Sequence, residues 1–183
     1  MAVLSSANTF YLCYLSRPVG DRAIYRAIRA GSLRKLVELG VGTASRGLRM
    51  IDVAAVQAPR CEVQYIGLDL FETRGEADGP GLSLKTAYQK LRATGARVRL
   101  VPGDPLDGLA RVANSLGTVD LLIFSAGLDR SCSRAWWFVP RLLHERTQVG
   151  VEQPAADGTT RMFWKTRAEI EQLASAAAKR RAA

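Results

Sequence analysis

Short apolar runs and stripes of apolar residues at helical spacing take turns along this chain, which predicts strands and helices in alternation. Leu84, Ala87, Tyr88 and Leu91 show the helical spacing, at i, i+3, i+4 and i+7. The apolar runs predict six strands, at residues 36–39, 62–68, 98–101, 119–124, 147–152 and 160–165. Alternation of this kind is typical of α/β proteins, whose sheets are mostly parallel.

Two of the strand predictions define the sheet further. The run from Val119 to Phe124 is almost wholly apolar, as expected of a central parallel strand buried on both faces. Asp157 and Gly158 lie between the last two runs and predict a hairpin turn. The sequence therefore predicts a doubly wound, mostly parallel α/β sheet with an antiparallel C-terminal strand and helices on both faces. Ligands of such sheets bind where two strands diverge, which here are strands one and four.

The helical pattern also predicts elements outside the strand repeats. Helices are expected over residues 21–30 and 47–58, and a further helix opens at Ser133, contains Trp136 and Trp137, and bends at Pro140. We divide the chain into an N-terminal helical segment, residues 1–31, and the domain on which it packs, residues 32–183.

Composition limits the kind of protein. The chain has 183 residues, of which 48% are hydrophobic and 23% charged, as in one ordinary globular domain. Cys13, Cys61 and Cys132 form no Cys-x-x-Cys pair, which argues for reduced thiols and against a zinc site, so we predict no metal. No apolar run is long enough to span a bilayer, and the first six residues lack the pattern of a secretory signal. We expect a cytoplasmic protein without a membrane partner.

Two closely spaced glycines follow the first predicted strand. Glu38 lies near the end of the apolar run, Gly40 and Gly42 permit a sharp turn, and a helical pattern follows. Similar turns bind dinucleotides, but a pyrophosphate would be repelled by the Glu38 carboxylate in a partly desolvated crevice. S-adenosylmethionine carries a sulfonium and an ammonium group, which an acid at this turn would attract. We therefore expect a ligand with positive charge here.

Four segments resemble the motifs of class I S-adenosylmethionine-dependent methyltransferases, in the family's order, within residues 33–165. Residues 37–43 (Val-Glu-Leu-Gly-Val-Gly-Thr) resemble the first motif, and residues 65–69 resemble the second strand, which ends in a ribose-binding acid. Residues 101–104 are similar to the third-strand segment and residues 119–124 to the fourth strand. The third glycine of the turn is missing, since a dinucleotide fingerprint would place it at Ser45, and no substrate-specific motif follows strand four. The resemblance implies a Rossmann-like fold and S-adenosyl-L-methionine as the cofactor.

The resemblance also implies which residues contact the cofactor. They are Glu38, Gly40, Gly42, Thr43, Asp69, Asp104 and Ser125. Glu38 would hold the methionine ammonium, Asp69 the ribose hydroxyls, and Asp104 would lie near the adenine. The structural alternatives are a turn or helix cap for Asp69 and the N-cap of a helix starting at Pro105 for Asp104.

Groups for proton transfer are sparse. His144 is the only histidine and is expected at a helix end away from the crevice, so a Ser-His-Asp relay lacks a base. Methyl transfer tolerates this, because a sulfonium already activates its methyl group and the protein mainly aligns a nucleophile and excludes water. Asp129, just past strand four, is the candidate for a general base. Trp136 and Trp137 cannot both face the core of one helix, so one is expected to be core and the other to border a substrate pocket or an interface.

The methyl acceptor is the feature that the sequence constrains least. The arginines of residues 21–30 and the net charge of +9 would attract RNA or another polyanion. A nucleic-acid methyltransferase would be expected to add stacking aromatics beside the charge, or a motif of an acid or Asn followed by Pro-Pro-aromatic after strand four. Residues 125–128 supply no such motif. We therefore predict a small-molecule oxygen or nitrogen nucleophile. The alternatives are an RNA methyltransferase and a non-catalytic protein that binds S-adenosylmethionine or a nucleotide, and the sequence indicates no oligomeric state.

Two segments near the predicted crevice have two interpretations each. The aromatic residues Phe10, Tyr11 and Tyr14 either belong to a segment that folds over the cofactor or pack against the sheet. Residues 72–81, rich in glycine and charge, either close over the site or form a slack connection.

Overall fold

The computed structural model describes residues 6–126, 128, 134–155 and 159–182. Its strands are β1 (Lys35–Leu39), β2 (Gln64–Asp69), β3 (Arg97–Pro102), β4 (Leu121–Phe124), β5 (Gln148–Pro154) and β6 (Thr160–Lys165). Its α-helices are α1 (Ser6–Tyr14), α2 (Asp21–Gly31), α3 (Ser45–Ala54), α4 (Leu84–Arg92), α5 (Pro105–Leu116) and α6 (Arg167–Ala182).

Within the described residues the strands form one six-stranded sheet, in the order β3-β2-β1-β4-β5-β6. β1 lies in the middle and runs parallel to β2 and β4, and the pairs β2–β3 and β4–β5 are parallel as well. β5 and β6 are antiparallel, with Gly150 opposite Trp164. This order confirms the doubly wound, mostly parallel sheet with an antiparallel last strand.

Both faces of the sheet carry a hydrophobic core, because successive strand residues point to opposite sides. On one face, Leu36 of β1 and Ile123 of β4 pack with buried residues of α1, α2, α3 and α4. On the other face, Val37 and Leu39 pack with buried residues of α5, α6 and the segment between β4 and β5. The alternation places Glu38 on the first face, the one covered by α2 and α3.

The helix predicted after Ser133 is wrong for the residues that the structure describes. Residues Arg134–Trp137 and Val139–Leu142 form two short 3₁₀ helices instead. Pro140 explains the break, since it has no N–H to donate to an α-helical hydrogen bond and restricts the residue before it. The helix predicted over 47–58 is α3 and ends earlier, at Ala54.

Helices α1 and α2 contribute to the hydrophobic core on the first face of the sheet. Leu12, Ile24 and Ile28 are buried in the first core. Phe10 and Tyr11 do not pack against the sheet, since they are 53% and 49% exposed. A role for the N-terminal segment as a cofactor lid, and the boundary at residue 31, remain predictions.

Among the residues that the structure describes, none of the helices combines the length and the apolar character that crossing a bilayer would require.

Candidate functional site

The predicted site residues lie at the carboxyl edge of the sheet. Glu38 is in β1 next to its end, and Asp69 is the last residue of the neighbouring β2. Backbone hydrogen bonds connect the loops after the strands: Gly40 N–H donates to Leu68 O at 2.8 Å, and Ser125 N–H donates to Leu39 O at 3.0 Å. Glu38, Asp69 and Ser125 therefore lie at the same edge of the sheet, at the ends of the neighbouring strands β1, β2 and β4.

The glycine turn after β1 needs its glycines. Gly40 has φ +88° and Gly42 has φ +56°, in the left-handed region that disfavours side chains. A Cβ on Gly40 would lie 2.9 Å from the Ser125 Cβ, so the turn and the end of β4 approach too closely for a side chain. Ala44 also has positive φ, +62°, at the start of α3. The glycines thus let the turn pack closely against the end of β4 at the carboxyl edge of the sheet.

A buried ionic cluster lies beneath this turn, and we name its four members, Asp21, Glu38, Arg46 and Glu152, the Arg46 cluster. Arg46 Nε donates to Asp21 Oδ1 at 2.7 Å, and Nη2 donates to Glu152 Oε2 at 2.8 Å. Arg46 Nη1 lies 3.7 Å from Glu38 Oε1, a charge contact without a hydrogen bond. The side chains of the three acids are at most 5% exposed and that of Arg46 is 14% exposed. Three carboxylates therefore surround one guanidinium.

The charge imbalance of the Arg46 cluster is visible in its pKa values. Burial raises the pKa of Glu38 to about 7, although Arg46 and a hydrogen bond from Tyr65 counteract it. Burial also raises the pKa of Asp21. For Glu152 the effect of burial is outweighed by Arg46 and by hydrogen-bond donors, so its pKa is lowered. The cluster favours positive charge in its surroundings, because one guanidinium does not balance three acids.

Glu38 has one satisfied oxygen and one that lacks a hydrogen bond. The Tyr65 hydroxyl donates to Oε2 at 2.5 Å. Oε1 is buried and accepts no hydrogen bond from any residue that the structure describes. Buried carboxylate oxygens are normally satisfied, so this acceptor has capacity for a donor beyond those that the described residues supply.

Asp69 lies at the neighbouring strand end and is fully engaged. Gly42 N–H donates to Oδ2 at 2.6 Å, which ties the acid to the glycine turn. Arg74 donates to both oxygens, from Nε to Oδ1 at 2.9 Å and from Nη2 to Oδ2 at 2.7 Å. Burial alone would raise the pKa of Asp69, but these hydrogen bonds lower it. These hydrogen bonds therefore keep the Asp69 carboxyl ionised. A role as a simple turn cap would not explain why Arg74 also binds Asp69.

Asp104 lies farther along the same edge and caps α5. Its Oδ1 accepts the backbone N–H groups of Leu106 and Asp107, both at 2.9 Å, which is the structural role weighed for it. Its side chain is exposed and borders a cavity of about 610 Å³. The cap and a ligand contact are compatible, because one carboxylate oxygen satisfies both backbone groups.

The two tryptophans have different environments, as expected. Trp136 is 2% exposed and stacks on Phe124, with ring centroids 4.7 Å apart. Trp137 is half-buried and lines the cavity beside Asp104, with the Arg141 guanidinium 5.7 Å from its ring centroid. Trp136 is therefore a core residue, and Trp137 is the one available to a ligand.

The remaining predicted residues, Thr43, Asp129 and His144, differ in their relation to the site. Thr43 is exposed on the glycine turn, and its hydroxyl lies 3.0 Å from that of Ser45. Asp129, the candidate base, lies outside the described residues. His144 pairs with Asp120 at 2.9 Å, and Asp120 accepts the backbone N–H of Lys35 at the start of β1. His144 is therefore at the amino edge of the sheet, opposite the site. No group of metal-ligating side chains capable of holding an ion is found among the described residues.

Sequence reasoning missed five residues of the site: Asp21, Arg46, Tyr65, Arg74 and Glu152. One signal was available for Arg46, because a cation in the first turn of a helix opposes the helix dipole and needs nearby acids. Its partners come from α2 and β5, at opposite ends of the chain, and only the sheet order brings them together. Arg74 lies in a loop, where spacing gives no indication of a partner.

Comparisons with known proteins agree with this architecture. No family model matches the chain, and no curated protein matches it significantly in sequence. The chain is similar in structure to cofactor-bound Rv0187 from MTB, with a TM-score of 0.52 and 17% identity over 80% of this chain and 63% of that one. It is also similar to the SAM-dependent methyltransferase from Agrobacterium tumefaciens, with a TM-score of 0.50 and 11% identity over 86% of this chain and 50% of that one.

These likenesses concern the fold. The chain spans less than two thirds of the length of either structure. The mostly parallel, Rossmann-like sheet is nevertheless shared with a SAM-dependent methyltransferase, as the motif resemblance implied.

Proposed function

We propose that this chain binds S-adenosylmethionine at the carboxyl edge of its sheet and transfers the methyl group to a small-molecule oxygen or nitrogen nucleophile. The observation that carries the proposal is the Arg46 cluster, which places three buried carboxylates around one guanidinium directly beneath the glycine turn. A dinucleotide pyrophosphate would meet repulsion there, whereas an ammonium or sulfonium group would be attracted.

The residues present fit this cofactor. Glu38 Oε1, which accepts no hydrogen bond from the described residues, would accept one from the methionine ammonium or from a water bound to it. Gly40 and Gly42, which both have positive φ, would keep the turn tight beside the cofactor, and the exposed Thr43 would contact it from the same turn. Asp69 would accept the ribose hydroxyls, and Asp104 would lie near the adenine. Ser125 would leave space beside the methyl donor.

The chain needs little further machinery for the reaction. The bound sulfonium supplies an activated methyl group. The residues around it have to hold the acceptor in line and exclude water, which contributes through orientation. The cavity beside Asp104 and Trp137, of about 610 Å³, is of the size that small-molecule pockets commonly have. We propose Trp137 as an acceptor contact, and Asp129 as the base where the acceptor needs one.

Binding measurements test the cofactor directly. Isothermal titration calorimetry with S-adenosylmethionine, with S-adenosylhomocysteine and with a nicotinamide dinucleotide is expected to give binding to the two adenosyl ligands. Tighter binding of the dinucleotide would contradict the proposal and favour a nucleotide-dependent oxidoreductase.

Asp69→Ala is expected to weaken S-adenosylhomocysteine binding by about 1–3 kcal/mol, because it removes the buried acceptor of two hydroxyl groups. Calorimetry on both proteins measures the loss, with a thermal melt to establish that the variant is folded. The matched control is Asp52→Ala. Asp52 lies on α3, away from the glycine turn, and its carboxylate pairs with Arg60. Equal affinities of Asp69→Ala and wild type would exclude Asp69 from the site.

Turnover requires its own experiment, since a cofactor site on this fold does not establish catalysis. Incubation with a labelled methyl donor and fractionated small molecules of a cell extract is expected to label a small-molecule fraction. Cofactor binding without any labelled product would favour the alternative, a non-catalytic protein that binds the cofactor.

An RNA acceptor is the second candidate, and one observation favours it. Phe10, Tyr11 and Tyr14 are 44–53% exposed on α1, where they could stack on unpaired bases. Burial raises the pKa of the Cys13 thiol on α1, and the charges of Arg29 and Arg26 lower it. Both arginines must be close to Cys13 to have this effect, so they lie beside α1.

The salt dependence of RNA binding separates the two acceptors. We expect weak binding of single-stranded RNA that changes little in the Arg26→Ala/Arg29→Ala variant. The control variant, Lys85→Ala/Lys90→Ala, removes the same charge from exposed positions of α4. Micromolar binding that falls steeply with salt and is lost only in the arginine variant would favour RNA instead. Arg22 is left unchanged, because it donates to the Ser16 and Leu15 carbonyls and supports the turn between α1 and α2.

A further inference from the structure

The carboxylate of Asp69 has no hydrogen-bonding capacity to spare. A carboxylate accepts about four hydrogen bonds. Asp69 receives two from Arg74, one from Gly42 and one from the Phe71 N–H at 3.3 Å, and its side chain is 1% exposed. A ligand that uses both oxygens of Asp69 must therefore replace donors that are already in place.

Arg74 is the donor that can leave, because the other two belong to the backbone around Asp69. It lies in the segment 71–82, and its Nη1 donates to the Asp78 carbonyl at 2.5 Å. The same segment contacts the glycine turn, since Leu82 N–H donates to the Gly42 carbonyl at 3.2 Å. The pair between Asp69 and Arg74 thus holds segment 71–82 over the acid and beside the turn.

The donors of Arg74 match those of a vicinal diol. Its Nε and Nη2 groups reach one carboxylate oxygen each, at 2.9 and 2.7 Å. Two adjacent hydroxyl groups can present the same two donors to the same two oxygens. A ligand with only one hydroxyl would leave one buried oxygen with fewer donors, and buried charged groups that lose a partner are costly.

We propose that Arg74 determines the specificity of this site by occupying Asp69 until a ligand with two vicinal hydroxyl groups displaces it. The proposal rests on the proposed function, in which the ribose of an adenosyl ligand carries the diol. Displacement of Arg74 releases segment 71–82 from Asp69, so that binding and rearrangement of this segment are coupled. The apparent affinity of the protein equals its intrinsic affinity multiplied by the fraction of free molecules in which Arg74 has left Asp69.

Two variants remove the competition in different ways. Arg74→Ala deletes both donors. Gly81→Ala keeps Arg74 but places a Cβ 2.4 Å from its Cδ and 2.6 Å from its Nε, which forces the side chain to move. The control, Gly75→Ala, is the same substitution in the same segment, and its Cβ meets only the Asp78 carboxylate at an ordinary 3.7 Å.

Calorimetry with S-adenosylhomocysteine is expected to show binding tightened on the order of tenfold in Arg74→Ala and Gly81→Ala, and unchanged in Gly75→Ala. Wild type is expected to bind the 2′-deoxy analogue at least about tenfold more weakly than S-adenosylhomocysteine, because one hydroxyl cannot replace both N–H donors. Unchanged or weakened binding in Arg74→Ala and Gly81→Ala would overturn the proposal, as would equal binding of the two ligands.

Hydrogen exchange on the free proteins separates this proposal from the proposed function. Amides of segment 71–82 are expected to exchange at least about tenfold faster in Arg74→Ala and Gly81→Ala than in Gly75→Ala, without any ligand. Equal exchange in all three would overturn the role of Arg74 whichever ligand the protein binds. Faster exchange in Arg74→Ala and Gly81→Ala, with no variant binding an adenosyl ligand, would contradict the proposed function. Arg74 would then still be the group that covers Asp69.

Discussion

Replacing Arg46 by methionine is expected to lower the free energy of unfolding by about 3–5 kcal/mol at neutral pH, the cost of removing one partner from a buried ion pair. Asp21, Glu38 and Glu152 would keep their buried positions and lose the only cation among them in the described residues. Methionine retains the length of the stem, so the loss reports charge rather than volume. Urea denaturation at pH 7 measures it.

A surface arginine and a second pH serve as controls for the Arg46→Met measurement. Arg34→Met removes an arginine from a pair with Glu62 whose side chains are about half exposed, and it is expected to cost no more than about 1 kcal/mol. Arg46→Met is expected to recover part of its loss at pH 5, where the three acids take up protons more readily. A loss below about 1 kcal/mol at pH 7 would mean that water, and not Arg46, stabilises the three carboxylates.

Glu38→Gln is expected to become more stable relative to wild type as the pH rises. The pKa of Glu38 is about 7 in the folded chain and about 4.5 in its ordinary range, so the folded state binds the proton more tightly. The stability that this proton contributes is complete below about pH 4.5 and is lost as the pH rises through about 7. A shift of this size corresponds to about 3 kcal/mol, because each pKa unit is worth 1.36 kcal/mol. Glutamine resembles the protonated acid and carries no such dependence.

The measurement is a series of urea denaturation curves from pH 5 to pH 8 on both proteins. The difference between variant and wild type reports Glu38 together with its charge coupling to Asp21 and Glu152, because both of these acids raise its pKa. Glu62→Gln serves as the control, because Glu62 is about half exposed and pairs with Arg34 at the surface. Parallel curves for Glu38→Gln and wild type across this range would refute the raised pKa.

The sequence predicted the fold because the sheet is built from features that local pattern reveals. β4 is apolar at every position since it lies between β1 and β5 with helices on both faces. The last hairpin was marked by Asp157 and Gly158, which lie outside the described residues, and β5 and β6 on either side of them are antiparallel. The helix around Trp136 and Trp137 was wrong because apolar residues at helical spacing outweighed the effect of Pro140 on the backbone.

The position of the site could be predicted from the sequence, but the full set of residues that form it could not. Glu38 and Asp69 follow from strand ends, which meet at one edge of any parallel sheet. The Arg46 cluster depends on tertiary structure, because α2 and β5 contribute Asp21 and Glu152 from distant parts of the chain. The engagement of Asp69 by Arg74 depends on the path of an irregular loop, which hydrophobic periodicity does not determine.

Because β1 lies between β2 and β4, a nascent chain that has emerged from the ribosome only as far as β3 can pair β1 on one side alone. The other side of β1, opposite the future positions of Leu121 and Phe124, has unpaired backbone groups until β4 arrives. An unpaired strand edge is a template for pairing with other chains. At 5–20 residues per second, synthesis of the roughly 20 residues between β3 and the end of β4 takes on the order of one to four seconds. The time for which this edge stays open to mispairing during synthesis therefore depends on the speed of translation.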